Sequence, residues 1–181
     1  MNDIVISIDI GLSGGIAFYD AEERAHAGLG LLMVKDMPTT SKVVSDKTKR
    51  VLDVEHLLHL LEIPNKKGET ATVVMEDVHA FPGQGVVAVG TLLEQKGIII
   101  GMSKALGYDV CLVSPKTWQK QFDIVCPKEL KAKAKRKKML KDLSLKKAHN
   151  IFNDWFDKIL DKDGISDALL IGHWYLLKEP Q

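Results

Sequence analysis

The sequence has little cysteine, few aromatic residues and no large excess of charge of either sign. It contains 2 Cys in 181 residues, and aromatic residues make up 6%. Cys111 and Cys126 lack zinc-site spacing and are too few for a disulfide framework, so we expect reduced thiols in a cytoplasmic compartment. The chain does not open on a basic segment followed by an apolar core, and its apolar runs look too short for a bilayer. We therefore expect neither export nor a membrane partner.

The charge is balanced overall but unevenly distributed. The composition is that of an ordinary globular protein, 45% hydrophobic and 27% charged, with a formal net charge of +1. Between Lys128 and Lys147, however, ten Lys and Arg residues stand against two acidic ones. We expect one domain over residues 1–181, with a basic helical segment at 127–147. Such a segment indicates binding to a polyanion; the alternative is a charged face that only keeps the protein in solution.

The most informative stretch is an apolar β pattern that ends on an acid and returns through glycines. Residues 4–8 have the Ile and Val content of a central strand, and Asp9 is the first charge to interrupt them. Three glycines within the next six residues predict a tight return into a second strand at 16–19. A partly buried carboxylate is costly unless a metal ion or a phosphate-handling site compensates it. Alternatively, Asp9 only accepts hydrogen bonds from the glycine turn.

The rest of the chain alternates between strand and helix patterns. We expect strands at 27–37, 70–78 and 109–113, a surface loop at 38–49, a helix opening at Ser114 and Pro115, and further helices at 53–62, 87–106, 145–160 and 164–177. This order predicts an α/β fold, a mixed sheet flanked by helices.

Acidic residues recur where apolar patterns end. Glu76 closes the run at 70–78, and Asp163 and Asp167 stand one helical turn apart before the last apolar helix. Carboxylates without Cys or His at ligand spacing favour a hard cation such as Mg²⁺ or Mn²⁺. Two such ions about 4 Å apart can promote phosphodiester hydrolysis. Taken alone, Glu76 could be a solvent-exposed charge and Asp163 a helix N-cap.

In their order along the chain, these motifs resemble the RuvC-like Holliday junction resolvases of the ribonuclease H-like superfamily, especially the short phage-type proteins. The matching segments span nearly the full length; they are Ile-Asp9-Ile-Gly-Leu-Ser-Gly-Gly-Ile-Ala, Val-Met-Glu76-Asp-Val-His-Ala-Phe-Pro-Gly-Gln-Gly85, Val-Ser-Pro115-Lys-Thr-Trp118 and Asp163-Gly-Ile-Ser-Asp167-Ala-Leu-Leu-Ile-Gly. The resemblance implies a ribonuclease H-like fold with a five-stranded mixed sheet. It also implies a homodimer that cuts opposed strands of a four-way DNA junction with Mg²⁺ or Mn²⁺. A phage-encoded protein of this kind would act in the cytoplasm of a bacterial host.

The resemblance also implies which carboxylates hold the metal. Asp9 would be the first ligand, Glu76 the second, and Asp163 with Asp167 the closing pair, together holding two ions per active site. Cellular bacterial relatives commonly space the last two acids three apart, which would place Gly164 at the partner position. The spacing of four found here matches some viral and fungal relatives.

Basic residues are the candidate DNA contacts, because phosphate contacts fix position and make affinity fall steeply with salt. The predicted set is Lys131, Lys133, Lys135, Arg136, Lys137, Lys138 and Lys141, with Lys116 and Lys120 on either side of Trp118. The family often has Trp-Lys at this last site, whereas this chain has Trp-Gln-Lys.

Three further features have two interpretations each. Phe81 could stack on an unpaired base at a branch point, or pack in the core or in a dimer contact. The glycines at 85, 90, 97 and 101 would let two subunits pack closely, or let one helix pack on its own sheet. His79, three residues after Glu76, is the one histidine that we would test as a proton donor; His149 and His173 fit packing or surface positions.

Two other functions fit parts of the sequence. The segment around Asp9 is similar to the first phosphate loop of actin-like ATPases and sugar kinases. Those enzymes need two such lobes and about twice this length, and no second Asp-x-Gly strand-turn motif occurs here. A non-catalytic binder of branched DNA would keep the basic surface, but carboxylates near phosphates would only repel its ligand.

Overall fold

The computed structural model describes residues 3–23, 30–44, 46–80, 83–127, 129–153 and 163–178, with the backbone only of Val44 and Asp163. Within these residues the strands are β1 (Ile4–Ile8), β2 (Gly15–Asp20), β3 (Leu31–Asp36), β4 (Thr39–Val44), β5 (Lys47–Leu52), β6 (Ala71–Glu76) and β7 (Asp109–Val113). The helices are α1 (Val54–Leu61), α2 (Ile63–Lys66), α3 (Val86–Ala105), α4 (Pro115–Gln121), α5 (Lys133–Ile151) and α6 (Asp163–Leu176). Phe81 and residues 154–160 of the helix predicted at 145–160 lie outside the described part.

Five of the strands form one mixed sheet in the order β3-β2-β1-β6-β7. β1 pairs antiparallel with β2 and parallel with β6, and β6 pairs parallel with β7. β1 is central and all five of its residues are buried, which explains its unbroken apolar sequence. The predicted five-stranded mixed sheet is confirmed.

Helices cover both faces of this sheet because its central strand alternates between two apolar clusters. Ile4, Ile6 and Ile8 join the cluster that includes residues of α1 and α3. Val5 faces the other side, where the cluster includes residues of α4, α5 and α6. The sheet is therefore a buried middle layer with helices packed on both of its faces.

α6 crosses the centre of the sheet and is held there by polar contacts as well as apolar ones. The Ser7 hydroxyl donates to the Ala168 carbonyl at 2.7 Å, and the Tyr19 hydroxyl donates to the Leu169 carbonyl at 2.8 Å. Gly172 lies against both side chains, so a Cβ there would overlap them. These contacts fix the distance and rotation of α6 relative to β1 and β2.

The segment predicted as a surface loop at 38–49 instead forms an antiparallel ribbon of β4 and β5, with Lys42 opposite Lys49. The loop prediction was wrong because the ribbon has no buried face, so its Thr, Ser and Lys content resembles that of a loop. Its base is anchored by buried Met37 and Leu52 and by the Asp53 amide, which donates to the Pro38 carbonyl at 3.0 Å.

α5 is one continuous helix from Lys133 to Ile151, whereas the sequence predicted a division near Leu145. The division was wrong because the buried stripe of α5 uses small residues. Ser144 and Ala148 are the buried members, and neither gives the strong apolar signal from which a packed helix is normally recognised.

α3 is apolar but lies largely exposed. An 18-residue window of this 20-residue helix has a mean hydropathy of 1.3 and is 17% buried, and by length and composition it is the one described helix that could cross a membrane. The expectation that every apolar run is too short was therefore wrong for this helix, although such a test is weak evidence by itself. Val86 and Val87 are 86% and 80% exposed. A Cβ at any of the glycines 85, 90, 97 and 101 would meet no atom within 4 Å, so these glycines do not serve packing on the sheet.

Candidate active site at the ends of strands β1 and β6

Two of the predicted carboxylates leave the sheet side by side. Ile8 pairs with Met75 in the parallel register of β1 and β6, so Asp9 and Glu76 are the next positions on neighbouring strands. The Asp9 amide continues the pairing with β2 by donating to the Gly15 carbonyl at 3.0 Å. The rule that carboxyl ends of parallel strands share one sheet edge therefore brings these two acids together.

A glycine contact brings the third carboxylate to the same place. Gly14, in the turn between β1 and β2, forms an isolated parallel bridge with Gly164 near the start of α6. A Cβ on Gly15 would lie 2.8 Å from the Gly164 carbonyl oxygen, and a Cβ on Gly164 would overlap the Ser13 carbonyl oxygen. Only glycines allow this approach. It places the first turn of α6, which carries Asp167, over the end of β1.

Asp9, Glu76 and Asp167 line one cleft of about 810 Å³ together with a fourth acid, Asp36, which ends β3. Its wall combines acidic residues, the glycine turn and cations from two other elements. The lining residues are Asp9, Ile10, Gly11, Leu12, Ser13, Gly14, Asp36, Met37, Thr39, Arg50, Glu76, Lys137, Lys141, Gly164 and Asp167. The cleft thus presents carboxylates at its base, where β1 and β6 end, and positive charge from α5 and from the β4–β5 ribbon.

Glu76 is an acid of the cleft whose pKa is far from its ordinary value. The pKa of its carboxyl is raised to about 7, chiefly by burial and also by the nearby Asp167 carboxylate, against a hydrogen bond from Trp118 that lowers it. That bond runs from the indole Nε1 to Glu76 Oε1 at 2.8 Å, and Trp118 is fully buried. The indole can donate but not accept, so it favours the ionised carboxylate and fixes one of its oxygens.

Asp167 is also held by a named partner. Its Oδ1 accepts a hydrogen bond from the hydroxyl of Ser144, a buried residue of α5. Lys137, Lys141 and Ser144 are spaced four and three residues apart, so they follow one stripe of α5. The helix that extends basic residues into the cleft therefore also orients one of its acids.

In donor chemistry, the cleft suits a hard divalent cation, because its acidic side chains offer only carboxylate oxygens. Its carboxylates lie at the ends of β1, β3 and β6 and on α6, and a cation would offset the cost of a charged Glu76 in its buried position. Among the described side chains, no three His, Cys, Asp or Glu groups lie close enough together to hold one ion. Asp163, the fourth predicted ligand, begins α6 beside Gly164, but its side chain lies outside the described part.

The predicted DNA-contacting residues fall into three groups. Lys137 and Lys141 line the cleft. Arg136 donates through Nη1 to the Pro127 and Leu130 carbonyls, both at 3.2 Å, so it holds the turn before α5. The others are exposed and lie outside the cleft wall; they are Lys131, Lys133, Lys135 and Lys138 with α5, and Lys116 and Lys120 on α4. Phe81 lies outside the described residues.

Sequence reasoning missed Arg50, and the roles of Trp118 and Ser144. Arg50 fell in the supposed loop, although two Thr- and Val-containing runs around Ser45 and Asp46 could have indicated a hairpin. Trp118 was noted only as a motif residue. The Ser144 contact has no local signal, because it joins helices separated by 23 residues along the chain.

None of the histidines in the described part of the chain lines the cleft. His79 Nε2 lies 3.0 Å from Asp77 Oδ2, and Lys96 donates to the other Asp77 oxygen at 2.6 Å, which ties the segment after β6 to α3. His173 stacks on Phe122 with ring centroids 5.7 Å apart, and burial lowers its pKa. His149 is exposed. The packing and surface interpretations of His149 and His173 match these positions.

Comparison with solved structures identifies the fold. The chain superposes on Thermus thermophilus RuvC in complex with a Holliday junction substrate with a TM-score of 0.50 and 11% identity, covering 94% of this chain and 91% of that one. Thermus thermophilus RuvC by itself gives 0.49 and 13% over 94% and 92%, and the fowlpox virus resolvase with Holliday junction DNA gives 0.46 and 17% over 97% and 99%. No protein-family model matches the chain. No curated protein sequence matches it either. The first likeness confirms the predicted RuvC-like, ribonuclease H-like fold; at this identity it concerns the fold alone.

Proposed function

We propose that this protein is a structure-selective endonuclease that resolves four-way and other branched DNA junctions. The observation that carries the proposal is the cleft, in which Asp9, Glu76 and Asp167 converge from three elements beneath Lys137 and Lys141. A site that only bound DNA would gain nothing from carboxylates facing phosphates, because like charges repel. A site that cuts DNA needs them to hold cations. The RuvC-like fold supports the same assignment.

The carboxylates would hold two Mg²⁺ or Mn²⁺ ions, with Asp163 as the fourth ligand. Such ions supply charge neutralisation at the phosphate and lower the pKa of a water to make it a nucleophile. Trp118 keeps one Glu76 oxygen oriented and favours its ionised form, and Ser144 orients Asp167. Lys137 and Lys141 contact the phosphates on either side of the cut. In-line attack by water then leaves a 5′-phosphate and a 3′-hydroxyl.

We further infer a homodimer formed through α3. The exposed side of α3 carries Val86, Val87 and Leu93 together with the glycines 90, 97 and 101, all of which leave room for a second backbone. An apolar face of this kind is costly in water and marks a contact surface. A two-fold axis at α3 would relate two clefts, one for each of two opposed strands of a symmetric junction.

The direct test uses a synthetic four-way junction with each strand labelled in turn at its 5′ end. The wild type should make paired, symmetric cuts only with Mg²⁺ or Mn²⁺, and Asp9→Asn should lose at least a hundredfold in cutting rate while still binding the junction. Asp20→Asn is the matched control, because Asp20 ends β2 at the opposite end of the sheet from Asp9. Binding without cuts in either metal would mean a non-catalytic binder, and neither binding nor cutting would overturn the DNA assignment.

A further inference from the structure

The β4–β5 ribbon is an unexplained charged surface beside the cleft. It carries Lys42, Lys47, Lys49 and Arg50 but only one acid, Asp46, in its turn. All of these residues are exposed. Within the part of the chain that the structure describes, none of the four cations pairs with an acidic side chain. The fold itself does not need this ribbon charge.

The pairing of the strands makes the charge energetically unfavourable in the free protein. Lys42 and Lys49 are directly opposite each other, and like charges at directly opposed positions destabilise a strand pair. Exchange of either lysine for an uncharged residue would remove the repulsion. A ligand of high negative charge would remove it as well.

The two faces of the ribbon look in different directions. Because side chains alternate along a strand, Thr39, Ser41 and Arg50 share one face, and Lys42, Lys47 and Lys49 share the other. Thr39 and Arg50 line the cleft with the carboxylates. The face with Lys42, Lys47 and Lys49 therefore points away from the cleft, although it belongs to the same two strands as Arg50.

The dimensions of the ribbon suit a DNA branch. Six residues per strand at about 3.3 Å each extend the ribbon about 20 Å from its base, and a two-stranded ribbon is narrow enough to enter the major groove or to lie between two duplexes. The base is fixed by buried Met37 and Leu52, so the position of Arg50 relative to the acids is set by the core.

We propose that the ribbon is a second DNA-binding element that lies between two arms of the branched substrate. This inference rests on the proposed function. Arg50 contacts a phosphate of the strand that enters the cleft, and Lys42 and Lys49 contact the backbone of the adjacent arm. Phosphate contacts on both faces would give the ribbon a preference for branch points, since a linear duplex offers only one arm.

The test measures the affinity of the full chain for a four-way junction and for a linear duplex, in EDTA so that no strand is cut, over a range of salt. Lys42→Gln/Lys49→Gln should weaken junction binding at least tenfold and duplex binding less than threefold. Each lost phosphate contact should lower the salt slope by about 0.9. Arg50→Gln should weaken binding of both DNAs about fivefold.

The matched control is Lys66→Gln/Lys67→Gln, because both lysines are exposed and lie before β6, at the end of that strand far from Glu76. It should bind both DNAs as the wild type does. Thermal unfolding distinguishes a DNA contact from a structural role, because loss of a structural role would lower the melting temperature. Removal of Lys42 and Lys49 should leave the melting temperature unchanged or raise it, because the repulsion is gone.

The outcomes separate this inference from the proposed function. If the ribbon variants bind the junction as the wild type does, while Lys137→Gln/Lys141→Gln loses affinity for it, only the proposed role of the ribbon is wrong. Equal weakening on junction and duplex by the double lysine variant would overturn the placement between two arms. A wild type that binds neither DNA would overturn both proposals.

Discussion

At the residue scale, Glu76 combines two opposing demands. Its proposed role as a metal ligand needs an ionised carboxylate, whereas its burial disfavours that charge. Its neighbours are a fully buried indole that donates a hydrogen bond and a second carboxylate that repels it. The first favours the charged form of Glu76 and the second opposes it, but burial is the largest influence and holds the pKa near 7. A protein selected only for stability would carry an amide or an apolar residue here.

Stability should therefore depend on pH through this one group. The folded protein binds the Glu76 proton more tightly than the unfolded chain, whose pKa is near the ordinary 4.5, so the free energy of unfolding should fall between pH 4.5 and about 7. The loss is about 3 kcal/mol at most and levels off above pH 7. Glu76→Gln should abolish it, which raises the unfolding free energy at pH 8 by up to about 3 kcal/mol and changes little at pH 4.

Urea unfolding in EDTA at the two pH values checks this prediction. The control is Glu55→Gln, an exposed residue of α1 outside the cleft, which should change stability by less than about 0.5 kcal/mol at either pH. Equal effects of Glu76→Gln at pH 4 and pH 8 would mean that Glu76 is not the titrating group.

At the scale of elements, α5 joins two tasks that the sequence kept apart. Its exposed N-terminal half is basic, and its C-terminal half packs on α6 through Ser144 and Ala148. Since Ser144 donates to Asp167, any shift of α5 on DNA would be transmitted to an acid of the cleft. Under the proposed function, α5 would therefore couple DNA binding to the position of Asp167.

Ser144→Ala should separate these tasks. We expect junction affinity to stay within twofold of the wild type, because Lys137 and Lys141 are untouched. The cutting rate should fall about tenfold, and the free energy of unfolding should fall by about 1–2 kcal/mol. The control is Ser103→Ala, another buried helical serine, whose hydroxyl donates to the Ile99 carbonyl of its own helix. It should lose similar stability and no cutting after correction for folded protein. Unchanged cutting by Ser144→Ala would contradict the positioning role.

What the sequence could predict follows from how local each signal is. Asp9 and Glu76 each end a short apolar run, so a window of a few residues was enough to find them and their common sheet edge. The ribbon has no buried face, and Lys42 opposite Lys49 is not a pairing that propensity favours. The contacts Trp118–Glu76 and Ser144–Asp167 span 42 and 23 residues, and their existence depends on the packing of α4 and α5, which no window contains.

At the scale of the whole molecule, α3 should decide the assembly. Val87→Glu places a charge on the exposed apolar face, so we expect the dimer to weaken at least a hundredfold and junction cutting to become single and unpaired. Light scattering after gel filtration and two-strand labelling measure the two effects. Val125→Glu, at an apolar residue that is 58% exposed and lies outside α3, should leave both unchanged. A wild type that is monomeric, or that floats with phosphatidylcholine vesicles, would contradict the assigned role of α3.

The contact between Gly14 and Gly164 also has a consequence for biosynthesis. The ribosome makes β1, β2 and β6 long before α6, yet Ser7 and Tyr19 bond to α6 across 161 and 150 residues. A nascent chain that ends before α6 carries Asp9 and Glu76, but it lacks Asp167 and the contact of Gly14 with Gly164 that positions this acid. Under the proposed function, the cleft would therefore be complete only once α6 has been translated and has docked on β1 and β2.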